Sequence, residues 1–193
     1  MANELKYGDK IHLQNGYGGF RGGYLDTNSG NSAEGAFYGV STTATPTRAP
    51  GTGTWEILSA ADKAAGQPVL SGDLVYLRNT YGGDGGYLDT NSGPKAEQKT
   101  AGAKFDVSTS KVKDRAPGTG HWRIFAQTSA STNGEHVRVG DTVLLWNVYG
   151  GNGGFLETNG GTTDEGAAYD VCTNAYFNRS SNVADWKIHK AQG

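Results

Sequence analysis

The stretch Tyr81–Asn91, YGGDGGYLDTN, decides the fold because the chain contains it three times. Near-copies stand at Tyr17–Asn28, YGGFRGGYLDTN, and at Tyr149–Asn159, YGGNGGFLETN. In each copy a glycine-rich loop leads into a short segment with a leucine at its centre. Self-similar units of this length indicate a repeat architecture, in which no unit can bury its apolar face alone. The sequence therefore predicts three equivalent units around one shared core.

The spacing of other residues supports three units. A Gly-Asp dipeptide opens each one, at Gly8-Asp9, Gly72-Asp73 and Gly140-Asp141. A valine lies 15 residues before a tryptophan in every unit, in the pairs Val40/Trp55, Val107/Trp122 and Val171/Trp186. The second unit carries extra residues at 93–102. We place the repeats at about 8–58, 72–125 and 140–189 and assign the whole chain, 1–193, to a single domain.

Apolar residues alternate within each unit, which is typical of half-buried strands. Four strands are predicted per unit. In the order of the four strands, the inward residues of the first unit are Ile11/Leu13, Leu25, Val40 and Trp55/Ile57. Those of the second unit are Val75/Leu77, Leu88, Val107 and Trp122/Ile124, and those of the third are Val143/Leu145, Leu156, Val171 and Trp186/Ile188. The strand-three aromatics Tyr38, Phe105 and Tyr169 are paired with those valines. Only Ser59–Gln67 has a weakly helical pattern, as a connection between units. We predict an all-β chain of twelve strands.

This pattern resembles the β-trefoil fold, in which strand one has the form x-I-x-L-x-N and strand four carries Trp-x-Ile. The resemblance covers nearly the whole chain and implies pseudo-threefold symmetry. A three-bladed propeller or a β-prism is the alternative. Trp146, the one tryptophan outside strand four, is predicted to face outward, as the counterpart of Gln14 and Arg78.

Composition excludes several classes of partner. The formal net charge of −2 and the pI near 6.1 argue against nucleic acid, which needs a concentrated basic face. No apolar run reaches the ~18 residues of a membrane span, so membrane insertion is not expected. The first ten residues contain no apolar stretch typical of a signal peptide, so no classical secretion signal is expected, and Cys172 is the only cysteine. We expect cytoplasmic synthesis, with any release following an unconventional route.

Strand two suggests a binding site. If Leu25 points inward, alternation puts Tyr24, Asp26 and Asn28 together on the opposite face, where we expect solvent. The equivalent residues are Tyr87, Asp89 and Asn91 in the second unit and Phe155, Glu157 and Asn159 in the third. An aromatic ring can pack on the apolar face of a sugar, while a carboxylate and an amide bond its hydroxyls. Glycans are therefore the predicted partners.

The glycine-rich loops and one arginine per unit extend this prediction. Tyr17, Tyr81 and Tyr149 begin the loops and are expected to form a second wall. The glycines would let a sugar approach the backbone N–H groups. Arg48, Arg115 and Arg179 each lie seven residues before a strand-four tryptophan and would bond hydroxyls or an acidic sugar.

These residues also resemble the ricin-type β-trefoil lectins. That resemblance implies that an Asp in strand two, an aromatic near strand three and a polar residue before strand four bind galactose-like sugars. Asp26, Asp89 and Glu157 match the Asp position. The family's Gln-x-Trp motif and its cystines are absent here. A non-enzymatic lectin with up to three sites follows as the expectation, and the third site, with its Glu, is expected to bind differently or more weakly.

Other hypotheses remain open. The strand-two carboxylates would suit local Asx-turns, and the arginines would suit bonds to loop carbonyls. A protein-binding trefoil, such as a protease inhibitor or a cytoskeletal cross-linker, would act through the insertion at Pro94–Lys104. The DTNSG segments only partly match a calcium loop and lack its final Glu, so no cofactor is expected. The four histidines occupy no repeated position, and no nucleophile–base pair is visible.

Overall fold

The computed structural model describes residues 3–98, 100–127, 134–162 and 164–192. It contains twelve β-strands. They are β1 (Lys10–Asn15), β2 (Tyr24–Gly30), β3 (Ala36–Thr43), β4 (Trp55–Ser59), β5 (Leu74–Asn79), β6 (Gly86–Asn91), β7 (Ala103–Ser110), β8 (Trp122–Ala126), β9 (Thr142–Asn147), β10 (Gly154–Gly161), β11 (Ala167–Asn174) and β12 (Trp186–Lys190). One helical turn, α1 (Tyr17–Phe20), and 3-10 turns at Tyr81–Gly83, Ala96–Gln98 and Tyr149–Gly151 complete the elements. None of the helical segments described is long and apolar enough to cross a membrane.

The strand pairings occur in the same pattern three times. Strands β1, β4, β5, β8, β9 and β12 pair antiparallel around a closed ring of six. The hairpins β2–β3, β6–β7 and β10–β11 stand beside this ring, and their second strands pair with one another. Each sequence unit thus contributes two strands to the ring and one hairpin. The prediction of an all-β chain is confirmed.

The core consists of the alternating apolar residues of all three units. Trp55, Trp122 and Trp186 are fully buried, and the isoleucines two positions later are at most 1% exposed. Each indole N–H donates to the carbonyl of the strand-two leucine of its own unit, Leu25, Leu88 or Leu156, at 2.9 Å. Because a buried indole N–H needs an acceptor, this bond ties each hairpin to the ring.

The connection Ser59–Gln67 is not helical. The hydroxyl of Ser59 accepts bonds from the N–H groups of Ala61 and Lys63, and the N–H of Gly66 donates to the main-chain carbonyl of Tyr7. These N–H groups are therefore bonded in turns, so they are not available for the i to i−4 hydrogen bonds of a helix. Trp146 is half-buried, and it pairs with Phe155 on the neighbouring strand β10. Gln14 pairs with Tyr24, and Arg78 pairs with Tyr87, at the equivalent positions of the other two units.

Candidate functional site

Three equivalent pockets lie at the seams between consecutive units. We call them site 1, site 2 and site 3. Each is lined by the end of a strand-two segment, an aromatic of the following strand, an arginine, and a tyrosine of the next unit. The key residues are Tyr38, Arg48 and Tyr81 for site 1, Phe105, Arg115 and Tyr149 for site 2, and Tyr169, Arg179 and Tyr17 for site 3. The cavities measure about 230, 290 and 260 Å³, respectively.

Two aromatic rings form a corner in every pocket. The ring centroids of Tyr38 and Tyr81 lie 5.6 Å apart with an interplanar angle of 77°. The site 2 and site 3 pairs are 5.5 Å and 5.3 Å apart, at 77° and 80°. This edge-to-face geometry is the one that aromatic quadrupoles favour. The loop tyrosines Tyr17, Tyr81 and Tyr149 remain 37–38% exposed, so part of each ring is open to a ligand.

A buried asparagine at the end of strand one positions each loop tyrosine. The side-chain oxygen of Asn79 accepts a bond from the N–H of Tyr81 at 3.0 Å, and its amide donates to the carbonyl of Thr52 at 2.9 Å. Asn147 and Asn15 make the same two kinds of bond at sites 2 and 3. Since Thr52 belongs to the preceding unit, this asparagine joins the two halves of the pocket.

The glycines have a structural role in addition to the expected one. A Cβ on Gly85 would collide with the side chain of Asn79, and the same holds for Gly22 with Asn15 and Gly153 with Asn147. Gly82 and Gly83 have positive φ angles that glycine adopts without strain. The glycine-rich loop therefore makes room for the asparagine and forms the turn that carries the tyrosine.

Each arginine is held by a carboxylate and by the main chain. The Nε of Arg48 donates to Oδ2 of Asp26 at 3.0 Å, and its Nη2 donates to the carbonyl of Thr27 at 2.9 Å. Arg115 binds Asp89 and the carbonyl of Thr90 in the same way, at 3.1 and 2.9 Å. The Arg48 and Arg115 side chains are 28% exposed and line the pockets. Each arginine thus makes a structural bond, to a strand carbonyl and not to the expected loop carbonyl, and it also lines the pocket in which a ligand contact was predicted.

The expectation that the strand-two carboxylates face solvent is wrong. Asp26, Asp89 and Glu157 are all 0% exposed. Alternation does place them opposite the core leucines, but the arginine and its loop cover this second face. Burial raises the pKa of all three carboxyl groups, and the paired arginines oppose the shift. These groups stand behind the arginines and do not line the pockets.

The strand-two asparagines are also buried, at 2–6% exposure, so the solvent-facing prediction is wrong for them too. The amide of Asn28 donates to the main-chain carbonyl of Glu165 at 3.0 Å, and the amide of Asn91 donates to the main-chain carbonyl of Glu34 at the same distance. Asn159 donates to the carbonyl of Gln98. Each asparagine thus links its hairpin to a neighbouring one while lining the base of its own pocket.

The remaining predicted residues lie apart from the pockets. Tyr24 contacts the ring of His189, and Tyr87 contacts Tyr76, on the outer wall of the six-stranded ring. Phe155 lies opposite Trp146. The three strand-two side chains that were predicted to form one strip therefore lie in three different places. The aromatic ring is on the outer wall, the carboxylate is in a buried ion pair, and the amide is at the base of the pocket.

The strand-three aromatics Tyr38, Phe105 and Tyr169 were missing from the predicted site. Their recurrence, and the strand-three aromatic implied by the ricin-type resemblance, were signals that point to them. No local sequence pattern predicts that each pocket contains the loop tyrosine of the next unit. At site 3, for example, Tyr17 lines the same pocket as Arg179. No group of three or more His, Cys, Asp or Glu side chains in the described part of the chain could hold a metal ion.

Site 3 differs from the others behind the arginine. Both carboxylate oxygens of Glu157 accept bonds from Nε of Arg179, at 3.0 and 3.2 Å. Its Oε1 also accepts from the amides of Asn159 and Asn174 at 3.2 Å. The cross-strand partner of Glu157 is Cys172, whose thiol pKa is raised by burial. In sites 1 and 2 a serine, Ser41 or Ser108, takes this partner position.

No protein-family model matches the chain, and no curated protein matches its sequence. The fold is similar to that of the SDF2-like protein from Arabidopsis thaliana, with a TM-score of 0.70, 16% identity and coverage of 96% of this chain and 94% of that one. It is also similar to part of a protein O-mannosyltransferase complex of S. cerevisiae bound to the sugar donor (TM-score 0.70, 17% identity, 97% of this chain and 25% of that one). The binding domain of botulinum neurotoxin serotype D is a further neighbour (TM-score 0.64, 15% identity, 97% and 42%). These neighbours have folds of the β-trefoil type.

Proposed function

We propose that the chain is a single-domain β-trefoil lectin, with one carbohydrate site at the seam of each of its three units. The observation that carries the proposal is the recurrence of the same pocket three times, with an exposed tyrosine, a second ring and an arginine. Core packing explains the repetition of the tryptophans and leucines, but it gives no reason for the repeated exposure of an aromatic ring. No catalytic step is part of this function.

The pocket chemistry suits one sugar residue. The apolar C–H face of a pyranose would pack on Tyr81, and its hydroxyls would accept bonds from the guanidinium of Arg48. A cavity of 230–290 Å³ lies below the ~300 Å³ at which sites for drug-sized ligands begin, so each pocket would hold a terminal monosaccharide. Galactose-like sugars are the first ligands to test.

Three shallow sites on one chain would act together. Each site buries little ligand surface, so its own affinity would be weak. A surface that displays many copies of the sugar converts the second and third contacts into intramolecular events, which raises the overall avidity by about 10²- to 10⁴-fold. Capture of clustered cell-surface glycans is the role that this arrangement favours.

A glycan array tests the proposal. Wild-type protein should bind a defined set of glycans, and the triple variant Tyr17→Ala, Tyr81→Ala, Tyr149→Ala should lose that binding. The matched control is Phe177→Ala, because Phe177 is 64% exposed and lies outside all three pockets. Absence of glycan binding by the wild type, or binding by a folded triple variant equal to that of the control, would reject the lectin hypothesis.

Protein binding is the second candidate function. The insertion Pro94–Lys104 is a poor free loop, because Gln98 is fully buried and donates to Asp106 and to the carbonyl of Val171; Lys99 lies outside the described residues. Two adjacent exposed rings, Tyr176 and Phe177, favour this function instead. If it is correct, Tyr176→Ala with Phe177→Ala would abolish capture of a cell-surface protein that survives enzymatic deglycosylation, and the pocket variants would leave that capture unchanged.

A further inference from the structure

The arginines leave one edge of the guanidinium group for a ligand. In Arg48 the side-on edge is occupied, since Nε donates to Asp26 and Nη2 to the carbonyl of Thr27. The same edge is occupied in Arg115 and Arg179. Across the described residues, no bond within the chain involves Nη1 of any of the three. The end-on edge, formed by Nη1 and the second N–H of Nη2, therefore remains free to donate to a ligand.

Two kinds of ligand match such a fork. A carboxylate or sulfate presents two oxygens at the spacing of the fork, and so does a pair of hydroxyls on adjacent carbons of a sugar ring. Geometry alone does not separate the anion from the diol. The electrostatic environment of the fork is what distinguishes them.

Each arginine is neutralised from behind. Asp26, Asp89 and Glu157 are 0% exposed and lie 3.0–3.1 Å from the arginine Nε. Among the described residues that line each pocket, the arginine is the only charged one. Glu165 adds a further acidic residue near Arg48, since the two residues line a second cavity together. The charge of each pocket and its carboxylate together is therefore zero.

We propose that the three pockets select a neutral sugar with two adjacent hydroxyls, and that the buried carboxylates are the positioning residues that set this selectivity. This inference rests on the proposed lectin function. The carboxylates touch no ligand. They fix the guanidinium orientation and weaken its attraction for anions, so that acidic sugars lose the advantage that an unpaired arginine would give them.

Coulomb's law gives the size of the effect. For an anion about 4 Å from the guanidinium and about 8 Å from the carboxylate behind it, the repulsion cancels about half of the attraction. An acidic sugar must also lose its hydration on entering the pocket, which the remaining attraction has to offset. A neutral hydroxyl pair has no such charge to desolvate.

The experiment compares two ligands that differ only in charge, such as terminal galactose and galacturonic acid on the same scaffold. Wild-type protein should prefer the neutral ligand in titration calorimetry. Asp26→Asn with Asp89→Asn keeps the side-chain shape and removes two buried charges, and it should shift the affinity ratio toward the acid by on the order of tenfold. The matched control, Asp62→Asn with Asp164→Asn, makes the same change in net charge at exposed positions and should leave the ratio unchanged.

Salt dependence supplies a test that needs no variant. Affinity of the wild type for the neutral ligand should stay constant from about 0.01 M to about 1 M salt, because no net ligand charge is screened. A wild-type preference for the acid, a strong loss of affinity with salt, or an unchanged ratio in a folded Asp26→Asn, Asp89→Asn protein would overturn the charge selectivity while leaving the lectin function standing. Failure of the wild type to bind either ligand or any array glycan would instead reject the lectin function itself.

Discussion

Site 3 and its two counterparts hold the same arginine with different chemistry. In sites 1 and 2 an aspartate gives the arginine Nε a single oxygen, and its other oxygen has no hydrogen-bond partner among the described residues. The cross-strand serine hydroxyl is likewise without one. In site 3, Glu157 gives both oxygens to Arg179 and is bonded by two asparagines and by Cys172.

The difference shows which part of the site is fixed and which part can change. The longer glutamate accepts a bond from its cross-strand partner Cys172, whereas each aspartate makes no bond with the serine at that position. Two residues therefore differ together while the arginine stays in its pocket, with Nη2 on the same strand-two carbonyl. The support of the pocket is variable, whereas the surface it presents to a ligand is nearly the same.

Removal of the carboxylate behind the arginine should lower the stability of the protein more than any other change at these sites. Glu157→Ala leaves Arg179 without its carboxylate and removes one of the acceptors of the Asn159 and Asn174 amides, so we expect the free energy of unfolding to fall by about 5 kcal/mol. Asp26→Ala loses fewer bonds and should cost about 3 kcal/mol. Urea unfolding measures both. Equal losses at the two sites would show that the additional bonds of Glu157 contribute no stability.

A second difference between the units lies where the hairpins meet, at Gly39, Asp106 and Asp170 of the three units. Asp170 is 3% exposed, and its Oδ2 lies 3.7 Å from the Lys95 ammonium but has no hydrogen bond. Burial raises the pKa of its carboxyl group from 3.8 to about 6, against the effect of Lys95 and helped by the nearby Asp106 and Glu97. The folded protein thus binds this proton more tightly than the unfolded chain does.

The stability contribution of this proton is full below pH 3.8 and is lost as the pH rises through about 6. Asp170→Asn should therefore raise the free energy of unfolding by about 2 to 3 kcal/mol at about pH 7.5, and the gain should vanish near pH 4. Urea unfolding at the two pH values measures it. Asp62→Asn, at an exposed position, should show no such pH-dependent gain. A destabilised Asp170→Asn protein at the higher pH would mean that the ion pair with Lys95 outweighs the burial of the charge.

Exchange of the Asp–Ser pair of sites 1 and 2 for the Glu–Cys pair of site 3 should have the smallest effect on stability. Asp26→Glu alone overfills its space and should cost about 1 to 3 kcal/mol, whereas Asp26→Glu with Ser41→Cys reproduces the site 3 pair. We expect the double variant to be about 1 kcal/mol more stable than the sum of the single effects predicts. The reverse exchange, Glu157→Asp with Cys172→Ser, should show coupling of the same sign. Additive effects in both cycles would show that the two positions are independent.

Much of the fold could be predicted from the sequence because the core positions have a strict period. Leu25, Val107 and Trp186 are buried as expected, since alternation and equal spacing suffice to define one face of a strand. Prediction of the site was only partly successful. Arg48 and Tyr81 do line a pocket, but Asp26 does not, because alternation specifies the opposite face of a strand and not what covers that face.

By itself, the sequence determined the three units, the inward residues of each strand, and the aromatic and cationic residue types available for a site. Only the tertiary structure decided which of them meet. The loop tyrosine of one unit joins the arginine of the preceding one through the bridging asparagine, and Tyr17 reaches Arg179 from the opposite end of the chain. The physical reason is that hydrophobic periodicity is a local property of a strand, whereas the seams between units exist only after the six-stranded ring has closed.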